Sequence, residues 1–153
     1  MKWLAAALGV LLGSLGCGTA GGPPTARADP VPAAIAADDA LRAAFSSASP
    51  QFLEGHFIDR ALTVLRLQVA QLAVRGIRRE EVLDSRRVVH VGGSAERPQV
   101  VLRISARQRW LASGAPPPPA ATLRQWSAVL RWTGDRWLVC EAGDLPPPQW
   151  WAA

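Results

Sequence analysis

Apolar residues fall along the chain in three different patterns. From Trp3 to Leu15 they form one mainly apolar run of 13 residues. From Pro32 to Arg75 they recur at helical spacing, and from Val82 to Ala142 they alternate two by two. The middle pattern predicts two helices. Pro32–Ser46 carries a rough stripe of Ile35, Leu41 and Phe45, with Asp38 and Asp39 in its early part. Ser49 then reads as an N-cap and Pro50 as the first position of a second helix, which runs to Arg75 and stops at Gly76. In that helix Ile58, Leu62, Leu65, Val69 and Leu72 step by four and three onto one face, widened by Phe57, Ala61 and Val64. Gly55 marks a kink or a late start.

The two-fold pattern predicts four strands: Val82–Val91, Gln99–Arg107, Leu123–Trp132 and Trp137–Ala142. Gly134-Asp135 closes the last pair as a two-residue turn. That register sets Trp132 opposite Trp137, Leu130 opposite Val139 and Ala128 opposite Glu141. One face then carries Trp126, Ala128, Leu130, Trp132, Trp137 and Val139, and is expected to be the core wall against the second helix. The other face carries Val129, Leu138, Cys140 and Ala142, more apolar than a solvated face needs to be. It is a candidate surface for an apolar ligand or a partner protein. The Ala115–Ala120 stretch holds four prolines and is expected to be an extended loop.

The leading run follows Lys2 and is too short for a bilayer core of about 30 Å. It has the length and flanks of a signal peptide, so residues 1–28 are expected to be signal and tether. Two processing sites are open. Gly16-Cys17 resembles a lipobox, although Ser14 and Leu15 reverse the usual order of leucine and small residue; the resemblance implies a lipid on Cys17 and a membrane anchor. Ala26-Arg27-Ala28 is an A-x-A cleavage site, and the Asp29-Pro30 that follows resembles the mature start of actinobacterial secreted proteins. Either route places the domain outside the cytoplasm, at the cell membrane or secreted. Cys140, in an apolar strand and without a second cysteine to pair with, reads as a small buried hydrophobe.

What remains is one domain over 33–145 and a Pro/Trp tail over 146–153. Trp150 and Trp151 in that tail are expected to fold back on the sheet or to sit at a membrane interface. The 153 residues exclude a multidomain enzyme or a repeat array. The isoelectric point near 10.9 suggests nucleic acid at first sight. Lys2 and Arg27 are the only charges in residues 1–28, so losing them lowers the net charge from +5 to +3. Sixteen of the 17 basic residues are arginine, as a GC-rich genome writes them, and the densest run, Arg75 to Arg87, is interleaved with Glu80, Glu81 and Asp84. Interleaved signs describe a solvated surface, and nucleic acid is not expected as a partner.

Catalytic chemistry has few carriers. His56 and His90 are the only histidines, and a pairing with Asp59 or Asp84 across a pocket would allow general acid–base work. There is no metal-ligand spacing, no nucleophile elbow and no phosphate-cradling glycine loop, so neither a metal nor a cofactor is expected.

Helix, helix and four antiparallel strands is α+β order. With the closing hairpin Arg131-Trp132-Thr133-Gly134-Asp135-Arg136-Trp137-Leu138-Val139, residues 33–145 resemble the cystatin-like and nuclear-transport-factor-two-like superfamily. The resemblance implies a helix packed in a curved sheet with a cavity between them, a fold that hosts enzymes, ligand binders and envelope assembly proteins alike. The expected function is a non-enzymatic exported envelope (lipo)protein that binds a partner protein or an apolar ligand. The alternatives are a small cavity enzyme of isomerase or cyclase type using a His–Asp pair, and an assembly component of a secretion or conjugation machine.

Overall fold

The computed structural model of the chain describes residues 27–146. The elements follow in the order α1 (Val31–Ser47), a short 3-10 turn (Pro50–Leu53), α2 (Asp59–Val74), β1 (Arg78–Gly93), β2 (Pro98–Leu111), β3 (Ala120–Trp132) and β4 (Trp137–Leu145). The strands form one antiparallel sheet in the order β1-β2-β3-β4. Two helices against a curled four-stranded antiparallel sheet is the expected α+β fold. Among the described residues no helix is long and apolar enough to cross a membrane.

The helices divide the work differently from the sequence reading. α1 buries Ala34, Ala37, Ala40, Leu41, Ala44 and Phe45, whereas α2 buries only Ala61 and Val69. Alanines let a helix axis come close to a sheet, so α1 becomes the inner helix. The leucine stripe of α2 (Leu62, Leu65, Leu72) packs only partly against the core. α2 begins nine residues later than its first proline suggested, because Pro50–Leu53 forms a separate turn and Phe57 is drawn into the core at 1% exposure. Its end is as expected. Gly76, at φ +66°, lets Ile77 N–H reach Leu72 O (2.9 Å) and Gly76 N–H reach Ala73 O (3.0 Å). That pair of bonds satisfies the last carbonyls of the helix.

The sheet's inner face is built from Val100, Leu102, Ile104 and Ala106 of β2, Trp126, Ala128 and Leu130 of β3, and Trp137 and Val139 of β4, all in one core with α1. Trp132 and Trp137 face each other across the closing hairpin, edge to face at 5.3 Å and 70°. β1 is longer than expected at both ends, since Arg78–Glu81 pair with the equally extended end of β2. Register shifts leave Asp84 and Val89 unpaired on β1. A third shift corrects the expected β3–β4 register. Leu130 pairs with Val139 as predicted, but Val129 pairs with Glu141 and Ala128 with Ala142, so Cys140 is the extra residue of a bulge. Its thiol points to Val129 O at 3.3 Å. Bulges bend a strand and raise its twist, which curls the sheet around α1.

The chain before α2 extends this sheet. Val139 N–H donates to His56 O and Ile58 N–H donates to Val139 O, both at 2.9 Å, making Phe57 a parallel bridge to β4. This bridge covers the edge of β4 at Val139 and fixes where α2 starts.

Candidate functional site: a groove between α2 and β4

A groove of about 910 Å³ opens between α2 and β4. Its volume is within the roughly 300–1,000 Å³ of small-molecule sites. Leu41 and Phe45 of α1, Leu65 of α2 and Trp126 of β3 supply an apolar floor. Val64, Arg60 and the exposed Glu141–Asp144 segment of β4 form the open rim.

The groove's charges are mostly matched in pairs. Asp59 meets Arg131 at 2.8 Å, Glu141 meets Arg97 at 2.5 Å and Asp144 meets Arg124 at 3.2 Å. Two lining arginines lack so close a partner. Arg60 has no ion-pair partner among the described residues. Arg79 has only Glu81 Oε2 at 3.6 Å, too far for a hydrogen bond. Its guanidinium lies over the Phe45 ring at 4.4 Å and near Trp110 at 5.9 Å. Its Nε and one terminal nitrogen are buried with no hydrogen-bond acceptor, as Glu81 Oε2 is buried with no donor. Burial lowers the pKa of Arg79 below its ordinary value, against the pull of Glu81.

Beside the groove lies a buried charge cluster. Asp38, on the apolar stripe of α1, is fully buried. It accepts from Arg86 at 2.8 Å and Arg124 at 3.2 Å, and faces Arg42 Nε at 3.5 Å. Burial works against the charge on Arg124, yet Glu81, Asp144 and Asp38 outweigh it and raise its pKa. On Asp39, burial raises the pKa, but the hydrogen bond and charge of Arg86 and the charge of Arg42 lower it further, to a net value below the ordinary one.

The candidate acid–base groups are dispersed. His56 is half-buried in the linker that bridges to β4, and only its backbone is engaged. His90 is exposed on β1. Asp59 is tied to Arg131, and Asp84 to Arg107 at 3.1 Å. Neither histidine is within ion-pair distance of a carboxylate among the described residues, and of these four only Asp59 lines the groove.

The outer sheet face is less open than its composition suggested. Leu138 and Cys140 are 7% and 5% exposed and Val129 is half-buried, so the first two offer no free surface. Arg97, paired with Glu141, lies against the Cys140 sulfur. Cys17, Trp150 and Trp151 lie outside the described residues.

Sequence reasoning missed Arg79, Arg124 and Asp38. The available signal was Asp38 itself, three and four residues from Leu41 and Ala34 on one stripe.

No protein-family model matches the chain and no curated protein matches it. Among solved structures, the intermembrane space region of the chloroplast protein ARC6 is similar, with a TM-score of 0.68 at 18% identity over 79% of this chain and 99% of that one. A calcium/calmodulin-dependent protein kinase type II association domain, putative in its description, from Thiobacillus denitrificans ATCC 25259 has a TM-score of 0.47 at 15% identity, over 73% of this chain and 93% of that one. At 18% identity the ARC6 likeness speaks to the fold and to nothing finer.

Proposed function

We propose that this chain is a non-catalytic binding protein of the cell envelope, exported and anchored through Cys17, whose groove between α2 and β4 takes an apolar ligand. The observation that carries the reading is the groove itself. It has an apolar floor under an open rim, and its lining places no histidine beside a carboxylate. A site of that kind binds by removing apolar surface from water, worth about 25 cal/mol per Å².

The anchor is supported by contacts at the start of the described chain. Trp137, 7% exposed, donates its indole N–H to Ala28 O, and Arg27 donates to Ala95 O at 3.0 Å and lies 5.8 Å from the centre of the Trp137 ring. Cleavage after Ala28 would remove these contacts and orphan a buried donor. Processing at Cys17 retains them.

The reading is tested with the uncharged fluorescent probe N-phenylnaphthylamine. The chain takes it up with an emission increase, and Val64→Glu, which sets a carboxylate on the rim, weakens uptake by about tenfold or more. Absence of uptake, or uptake indifferent to Val64→Glu, refutes the groove. Mass measurement of the mature protein tests the anchor, and an unmodified N-terminus at Asp29 refutes it.

A further inference from the structure

We propose that the open end of β4 is a strand-addition site, and that the ligand of the groove is one extended segment of a partner polypeptide. The segment pairs with the backbone of residues 141–145 and lays uncharged, apolar side chains on the groove floor. The inference rests on the groove reading above and deepens it.

The sheet already accepts an added strand at this edge. Val139 donates its N–H to His56 O, and its carbonyl accepts from Ile58 N–H, both at 2.9 Å, so its backbone groups face away from β3. The added pairing stops there, because Asp59, at φ +53°, begins α2. Backbone groups alternate along a strand between its two sides. Counted from Val139 across the bulge, with Glu141 opposite Val129, the next residues to present N–H and C=O outward are Ala142 and Asp144. Among the described residues no backbone bond is made to that side of residues 141–145. Glu141, Ala142, Gly143 and Asp144 are exposed, and a Cβ placed on Gly143 would meet nothing within 4 Å.

The groove selects the occupant. These edge residues form one wall, and the opposite wall is α2 through Ala61, Val64, Leu65 and Gln68, a helical face without a charge. An alkyl ligand leaves the outward peptide groups of β4 unmet. An extended peptide pairs with them and turns alternate side chains to the floor. The flanking carboxylates do not bar the edge, since Glu141 is held by Arg97 and Asp144 by Arg124. β1, at the other edge of the sheet, is guarded by contrast. It carries two register shifts, and seven of the ten residues 78–87 are charged. A second copy of the chain pairing through β4 would bring its own α2 to the same edge, so a single segment fits the space better.

The probe is a fluorescein-labelled, end-capped peptide of alternating valine and threonine, about seven residues long, read by fluorescence anisotropy on the full chain. Two further versions are N-methylated, one at every valine and one at every threonine. Only every second N–H of an added strand faces β4, so one version binds weaker by about tenfold or more and the other by no more than about threefold. Ala142→Pro, which removes an outward N–H and no bond to β3, weakens peptide binding by about tenfold or more and leaves N-phenylnaphthylamine uptake in place. Equal effects of the two methylations on the wild-type chain overturn backbone pairing and leave the apolar groove standing. Peptide binding that survives Ala142→Pro overturns the assignment to β4. A dimer in sedimentation velocity that Ala142→Pro disperses makes a second copy the occupant and overturns the partner segment. Failure of the peptide to bind while N-phenylnaphthylamine is taken up overturns this inference alone, and failure of both probes overturns the groove itself.

Discussion

Replacing Asp38 by alanine removes the one anion shared by three guanidiniums, and its cost follows from the geometry. The side chain is fully buried, with Arg86 at 2.8 Å, Arg124 at 3.2 Å and Arg42 at 3.5 Å. Breaking a buried ion pair from one side costs about 3–5 kcal/mol, and here the three guanidiniums, although Asp39, Glu81 and Asp144 stay near them, lose the buried acceptor they share. A domain of this size has about 6–18 kcal/mol in all, at 0.05–0.15 kcal/mol per residue. With a urea m-value of about 2 kcal/mol/M, Asp38→Ala lowers the unfolding midpoint by about 2 M. Asp39→Ala is the internal comparison. It removes a carboxylate one residue along that also meets Arg86 and Arg42, but whose side chain is 51% exposed, and it costs no more than about 1 kcal/mol. Urea titration followed by tryptophan fluorescence reads both. If the two variants unfold within about 1 kcal/mol of each other, burial is not what gives Asp38 its weight and the argument fails.

Three further outcomes follow from the same contacts. A chain beginning at Asp29 is less stable than the longer chain by about 1–3 kcal/mol, and Trp137→Phe, which removes the orphaned donor, has little further effect in that background; additive losses in chemical denaturation would contradict the Ala28 contact. Acid acts through Asp39, whose folded pKa lies below its unfolded value of about 3.9; its contribution is complete above that value and is lost as pH falls through the folded pKa. Melting temperatures from pH 5 to 2.5 therefore fall less steeply in Asp39→Asn than in the parent, and parallel curves count against the assignment. Gly93→Ala destabilises by about 1–3 kcal/mol in thermal unfolding, because the residue sits at φ +82° and a new Cβ would lie 2.5 Å from Arg97 O; a neutral result would show that the β1–β2 turn relaxes freely.

The parts of the fold legible in the sequence are those set by local chemistry. Gly134-Asp135 between two tryptophan-bearing runs gives the closing hairpin and the Trp132–Trp137 pair. Gly76 gives the end of α2, and the change from helical to two-fold period gives the order of elements. Features set by distant residues were not legible. Arg78–Glu81 carry no alternation, so the length of β1 comes from pairing with β2. The prominent leucines of α2 drew attention away from α1, whose alanines gain their value only when a sheet lies against them. The groove lies between α2 and β4, which are joined by the bridge at Val139, and Arg79 of β1 lines it beside Phe45, which comes from α1.

The extra residue at Cys140 decides which way an acid points. If the same residues ran on without the bulge, Glu141 would face Ala128, on the side packed against α1. With it, Glu141 lies opposite Val129 on the outward side, within reach of Arg97. A related chain of the same length whose hairpin lacked the bulge would have every side chain beyond that point inverted, and would need an apolar residue where this one has glutamate. Lineages that keep or lose the kink should therefore exchange acidic and aliphatic residues together at the positions that follow it.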